Sequence, residues 1–471
     1  MEIKSSNIKG MFYPKDKKDL YNMIEMFDKG ISKVYDIKTR ALVAPHAGYI
    51  YSGKVALEAI NYFDENIKNI FIIAPSHRTY FEGTICPSYD EFETPFSNIS
   101  VNKEIVEKLF AFNVKINNIP FENEHSLEVQ LPLIQYKFKN KNVKIVPILY
   151  GETDFEQIYK IINYFYDDNE NGFIISTDLS HFYKEEEAKI IDRKTFEVVN
   201  ELNLDGFKHG MCCGLTGLMG LTKFVKERNF SLIPVDYKTS SSANNDKTSV
   251  VGYGSWILSQ MGQAGFIKEY FKDDLFDIVK KSITYPLCEN IKSKFTIKIE
   301  DYPLILTMPF ATFVTIYKNG HLRGCIGSII PSNPIVEDIA NNAYNASYKD
   351  PRFYPLAYEE FKYIEFEISI LTPLTKLEFK NQDELLDKLK IDIDGLIIHD
   401  KNYQAVYLPQ VWEHFKFDGF NDKEIKLQFL QSLKEKAGLN KDYFSDSFEA
   451  YIFHVEKLYS PSLLDISKNS K

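Results

Sequence analysis

A chain of 471 residues exceeds what one hydrophobic core usually supports, and at roughly 100 to 200 residues per domain it should divide into two or three. Hydrophobic residues at 44% and charged residues at 26% are globular proportions, which excludes a disordered chain. The formal charge of -10 argues against a broad nucleic-acid surface, and five cysteines without regular spacing (Cys86, Cys212, Cys213, Cys288, Cys325) make no disulfide framework.

The opening stretch MEIKSSNIKGMFYP lacks the apolar core of a signal peptide, and no apolar run approaches the roughly 18 to 20 residues of a membrane span. No membrane contact is expected, and a reducing cytoplasm is the expected location. Short aliphatic runs then alternate with helix-period segments. Strands are predicted over 40–45 (RALVAP), 69–75 (NIFIIAP), 144–151 (KIVPILYG), 172–178 (GFIISTD) and 249–255 (SVVGYGS). Helices are predicted over 53–63, where Val55, Ala56, Ile60 and Phe63 share a face, and over 186–202. In this reading Gly48 eases a turn and Gly53 precedes the helix. Such alternation predicts an α/β domain over 1–262, built on a mostly parallel sheet flanked by helices.

From residue 263 the pattern changes to α+β. A helix through FIKEYFKDDLFDIVKKSI precedes TFVTIYK, Asn319-Gly320 and HLRGCIG, a hairpin with type I′ turn chemistry. In YIEFEISIL (363–371), Ile364, Phe366, Ile368 and Ile370 alternate with Glu365, Glu367 and Ser369, as in a half-buried strand. A later helix should stop at Gly438, just after two lysines of its last turn. The second domain is therefore assigned to 263–471.

Three histidines directly follow predicted strands: His46, His77 and His181. In open α/β sheets the carboxyl ends of strands form the ligand crevice, so these rings should converge there. Converging neutral imidazoles suit a divalent metal, with iron favoured over copper or zinc, and Asp178 supplies a carboxylate as further ligand or as orienting partner. His125 lies between Glu124 and Glu128, whose carboxylates would favour its charged form or fix its tautomer, as in a general acid/base. Cys212 and Cys213 can be read as metal ligands or as small buried hydrophobes. In LRGCIG, Arg323 stands two residues before Cys325, where a guanidinium would stabilise a thiolate, and the glycines allow close approach of a ligand or backbone.

Taken together, FYP (12–14), APHAGYIYSG (44–53), APSH (74–77), EHSLEVQLP (124–132), STDLSH (176–181), CG (213–214) and VVGY (250–253) resemble the Memo family, whose fold is similar to that of class III extradiol dioxygenases. The resemblance implies a pocket around His46, His77 and His181, the first two as metal ligands, with Asp178 close by. Where some Memo proteins carry a late-loop cysteine this chain has Ala243, which cannot bind metal. LRGCIG, DPRF (350–353), EFEISIL, DGLII (394–398), YLPQV (407–411) and KAGL (436–439) resemble the AMMECR domain. The pair implies membership of the AmmeMemoRadiSam system, with a separate radical S-adenosylmethionine protein as partner, since no C-x-x-x-C-x-x-C motif is present. The expected function is a dioxygenase-like, metal-dependent redox or modification enzyme acting on a small molecule or modified nucleobase. A non-catalytic adaptor and a zinc hydrolase are the alternatives.

Overall fold

The computed structural model describes residues 2–460 except 32–34, 140, 289–293 and 418. The Cα trace divides into two units, one running to Gln263 together with Pro303–Ile305, the other comprising Ala264–Tyr302 and the chain from Leu306 onward.

The first unit is organised by a nine-stranded mixed sheet. Its strands are β1 (Ala41–Ala44), β2 (Asn69–Pro75), β3 (Thr84–Cys86), β4 (Lys115–Ile116), β5 (Lys144–Tyr150), β6 (Asn171–Ser176), β7 (His181–Tyr183), β8 (Ser231–Thr239) and β9 (Val250–Ser259). They lie in the order β7-β9-β1-β6-β2-β5-β3-β4, with β8 paired to β9. The central four, β1-β6-β2-β5, are parallel to one another. These are also the most apolar runs, and every residue of β1 and β6 is buried, as expected of strands covered on both faces. Strand β9 runs antiparallel to β1, so the sheet is parallel at its centre and antiparallel on that side.

Helices α1 (Lys17–Lys29), α2 (Tyr49–Ile60), α3 (Phe155–Phe165), α4 (Glu185–Asn200) and α5 (Leu215–Glu227) belong to this unit. Helix α2 starts four residues earlier than its periodicity suggested. Gly48 is its N-cap, and Gly53 lies inside it. A Cβ on Gly53 would stand 2.8 Å from the Phe27 ring of α1, so the glycine serves helix-to-helix approach rather than a turn.

The second unit opens inside α6 (Gln263–Cys288), at Ala264, and continues with a four-stranded antiparallel sheet. Strands β10 (Thr312–Lys318) and β11 (His321–Gly327) form the expected hairpin. Asn319 and Gly320 both have positive φ (51° and 77°), the signature of a type I′ turn. Strand β12 (Ile364–Leu371) is buried on both faces except at Glu365, contrary to the half-buried expectation. It is a central strand paired with β10 and with a C-terminal strand, Val455–Tyr459, and Lys457 Nζ neutralises the buried Glu367 at 3.1 Å. A second small sheet packs against α7 (Asp422–Lys436), which ends before Gly438 (φ 83°) as predicted. No helix among the described residues is long and apolar enough to cross a membrane.

Candidate metal centre

Because β1, β6 and β2 are adjacent and parallel, the residues that follow them emerge side by side at one edge of the sheet. His46 follows β1, His77 follows β2 and Asp178 follows β6. His125 arrives from the loop before α-helical Leu131–Lys137, where Ser126 Oγ donates to the carbonyl of Pro75 at 2.8 Å and so pins the loop against the end of β2. One potential ligand atom from each of His46, His77 and His125 lies within 4.8 Å of the others. Their ring centroids stand 4.9 to 5.4 Å apart.

His46 is 1% exposed. Its Nδ1 lies 3.0 Å from Ser176 Oγ, a hydroxyl that already donates to the carbonyl of Ser126 at 2.6 Å and accepts from Gln130 Nε2 at 3.0 Å. A hydroxyl has one proton, so toward His46 it can only accept. The neutral ring therefore carries its hydrogen on Nδ1 and presents the lone pair of Nε2. Burial, reinforced by the neighbouring His77 and His125, holds its pKa well below the ordinary imidazole value. The ring is neutral at physiological pH, the form that binds metal.

Glu124 organises the other two rings. Its carboxylate accepts the backbone N–H of His77 at 2.5 Å and those of His125 and Ser126 at 3.0 Å each, and it faces Nδ1 of His77 at 3.1 Å. Burial raises its pKa, but the facing His125 and His77 rings, with the backbone N–H of His77, outweigh burial and hold it well below the usual carboxylate range. Nδ1 of His125 is 3.2 Å from the same oxygen, yet buried without an aligned hydrogen-bond partner. A divalent cation suits this donor set: a neutral ring offering Nε2, a second ring oriented by a carboxylate, and a third with an unsatisfied buried nitrogen.

Of the expected set, His46 and His77 lie together, and the third ring within 4.8 Å of both is His125, while His181 acts on His46 and Asp178 from β7. His181 belongs to β7, which pairs with β9 at the far side of β1, whereas Ser126 and Glu124 tie His125 beside His77. Its Nδ1 lies 2.8 Å from the carbonyl of Leu179. Asp178 stands at 4.0 Å from His46 Nε2, and its other oxygen accepts the His46 backbone N–H at 2.7 Å, so it fixes the turn that carries the ring. Burial raises its pKa. Glu128, the other carboxylate expected near His125, turns instead to the N-terminal segment and accepts from Lys4, Ser6 and Tyr13.

Cys213 was ambiguous in the sequence, and the structure puts its sulfur 3.3 Å from His46 Nε2. Burial pushes its thiol pKa well above the ordinary value, so the thiol is the donor and His46 the acceptor. Gly214 allows this approach, since a Cβ there would lie 2.5 Å from Thr177 Cβ. Ala243 is exposed on the short helix Ser241–Asn244 and contributes no donor.

In the second unit the Arg323 guanidinium is engaged in a two-pronged pair with Glu360 (3.1 and 3.0 Å), which holds the Glu360 carboxyl at about 2. It is therefore not the partner expected for Cys325. Arg352 instead hydrogen-bonds the Cys325 carbonyl at 3.1 Å, and Asp350 accepts the Cys325 N–H at 2.9 Å. The close backbone approach expected at Gly324 is that of Ala346, whose carbonyl oxygen would lie 2.1 Å from a Cβ.

The family model described as Memo-like protein matches residues 4–257, more than half of the chain. The chain belongs to the Memo family. A MEMO1 family protein of Methanobrevibacter smithii is 31% identical over 289 residues, covering 54% of this chain and 99% of the relative. One from Methanosarcina mazei is 29% identical over 272 residues, covering 55% and 100%. The AMMECR1 family model matches residues 280–458, so a Memo domain and an AMMECR1 domain are fused in one chain. A solved structure of an uncharacterized protein from Pyrococcus horikoshii aligns at 28% identity over 41% of this chain and 92% of that one, with a TM-score of 0.35.

Proposed function

We propose that the Memo domain is a metal-dependent redox or modification enzyme, with His46, His77 and His125 holding an iron or copper ion. One observation carries this reading: three imidazoles converge within 4.8 Å at the carboxyl edge of the sheet, with His46 held neutral and the lone pair of its Nε2, which faces the Cys213 thiol, available once that thiol turns away. Such an ion supplies open positions for an oxygen ligand and Lewis acidity toward it. The protein's own groups supply the rest. Glu124 and Ser176 orient the rings, Asp178 holds the His46 turn, and His181 is the acid/base whose Nε2 exchanges a proton with substrate. Fusion to the AMMECR1 domain raises its effective concentration at the Memo domain, and a separate radical S-adenosylmethionine protein is the partner we assign to the pair.

Metal content of untagged, anaerobically purified protein tests this. Near-stoichiometric iron or copper in the wild type, lost in His77→Ala and His125→Ala of unchanged circular dichroism, is the expected result. Stoichiometric zinc would move the chemistry to hydrolysis. Absence of both retention and uptake in folded wild type would overturn the enzyme reading in favour of an adaptor, a role in which the donor-free Ala243 costs nothing.

A further inference from the structure

The amino edge of the nine-stranded sheet, opposite the metal centre, holds a cavity of about 380 Å³, within the range of small-molecule sites. It is built where the chain enters the parallel strands: Lys38 and Arg40 precede β1, Asp64 and Asn66 precede β2, and Asn169 precedes β6. Arg40 is fixed in place. Its Nη1 donates to the carbonyls of Tyr166 and Asp168, at 2.6 and 3.0 Å, and so caps the carboxyl end of α3, while its guanidinium carbon stands 4.0 Å from the centre of the Tyr166 ring. We infer that this cavity binds a small polar anion through a carboxylate or phosphate group, held by Arg40 and Lys38. The site is independent of the reaction proposed above.

The donors that Arg40 leaves unused select the ligand. Both hydrogens of Nη1 are engaged by carbonyls, whereas Nε and Nη2 make no hydrogen bond to the described residues. Helix capping accounts for Nη1 alone. The Nε–H and one Nη2–H project in parallel from the same side of a guanidinium, the spacing that matches two oxygens of a carboxylate or phosphate. Charge points the same way. Glu65, whose carboxylate feels Lys38, is paired with Lys141 at 3.3 Å. Asp64 accepts the Asn66 N–H at 2.8 Å and bridges to neither cation. The cavity therefore carries two cations against one carboxylate, in a chain whose net charge is -10. An anion gains a countercharge there that an ammonium group would not. Because two carbonyls and a ring already immobilise Arg40, ordering it costs the ligand little. The amide side chains of Asn66, Asn169 and Gln260 line the rest of the cavity and favour a polar ligand over an apolar one.

Inorganic phosphate, acetate and uncharged acetamide are the probes, titrated at constant ionic strength into the full chain with isotope-labelled arginines and followed by NMR. The resonance to watch is the Arg40 Nε–H, assigned as the one missing from Arg40→Lys. Phosphate or acetate should shift it, and acetamide should not. Lys38→Met should weaken binding about fivefold, the loss expected for one solvent-facing charge. Asn169→Asp, which sets a carboxylate in the cavity, should abolish the shift. Lys38 and Asn169 are both exposed, so neither change disturbs packing. The tighter of the two anions names the ligand as a phosphate ester or a carboxylic acid, and either result upholds the site. No shift with either anion, an equal shift with acetamide, or a shift undiminished in Asn169→Asp would overturn the inference. The same titration on His77→Ala separates this site from the metal centre. A phosphate or acetate shift that persists there stands whatever becomes of the metal reading, and one that disappears there overturns the inference.

Discussion

Oε1 of Glu124 stands 3.1 Å from Nδ1 of His77 and 3.2 Å from Nδ1 of His125, so one buried carboxylate faces two rings of the candidate metal centre. The same side chain also accepts three backbone N–H groups of residues 77, 125 and 126. Replacing it with Gln keeps the volume but removes the charge and turns one acceptor into a donor aimed at imidazole N–H. Orienting partners of this kind typically account for 10- to 100-fold in metal affinity. Glu124→Gln should weaken zinc or iron binding by about that factor in isothermal titration, and should also lower the thermal midpoint, because its NH2 must face a buried backbone N–H that the carboxylate accepts. An unchanged affinity would mean that the rings are positioned by the backbone alone.

A second carboxylate in the same segment has a structural task. Glu128 is 2% exposed and accepts from Lys4 Nζ (3.1 Å), Ser6 Oγ (2.6 Å) and Tyr13 OH (3.1 Å), and its partner Lys4 is 4% exposed. Phe12, within the segment so held, packs its ring 4.8 Å from that of His125. Glu128→Ala strands a buried ammonium and should cost about 3–5 kcal/mol in the first urea transition. Adding Lys4→Met should recover part of the loss. A double variant no more stable than the single one would show that the ion pair is not what holds the N-terminal segment.

How far the sequence carried the reading can be judged on particular residues. NIFIIAP was a strand over 69–75 both as predicted and as observed, because a fully buried parallel strand leaves a continuous apolar run. His46 and His77 were legible for the same reason: they follow such runs, and strand ends converge. His125 was legible as a chemically active residue but not as a member of the triad, since what brings it there is Ser126 bonding to Pro75, a contact 51 residues apart in sequence. Cys213 faced the same obstacle at a separation of 167 residues from His46. Spacing along a strand says which residues share a face, so Arg323 could be placed near Cys325, but its engagement by Glu360, 37 residues away, was not legible. Local pattern exposes elements; pairing across the chain decides which polar groups are free.

Gly324 gives a test of the LRGCIG segment independent of any reaction. A methyl group there would meet the Ala346 carbonyl oxygen at 2.1 Å, and that oxygen belongs to the helix Ile335–Tyr348, which cannot yield without moving. Gly324→Ala should destabilise the AMMECR1 domain by about 1–3 kcal/mol or more, the usual cost of overpacking. Gly320→Ala provides the contrast. Nothing lies within 4 Å of that position, so only its positive φ of 77° opposes a side chain and the cost should stay near 1 kcal/mol. Equal losses in the two variants would remove close packing as the reason for the glycine.

The last prediction concerns Lys434, which is fully buried on α7. Its ammonium donates to Gln382 Oε1 at 2.5 Å and to the Lys441 carbonyl at 3.3 Å, and lies near the rings of Phe444 and Phe448. No carboxylate hydrogen-bonds it, so burial lowers its pKa from 10.5 to about 8. The unfolded chain keeps the ordinary lysine value. Between about pH 8 and 10.5 the unfolded form therefore holds a proton that the folded form has released, and linkage makes stability rise with pH through that window. Below pH 8 both forms are charged and the contribution is flat at its least favourable level. Relative to Lys434→Met, which has no proton to lose, the wild type should gain thermal stability as pH is raised from 8 to 10. Parallel melting curves for the two proteins across that range would show that the buried amine keeps its proton, and that Gln382 and Lys441 suffice to hold it.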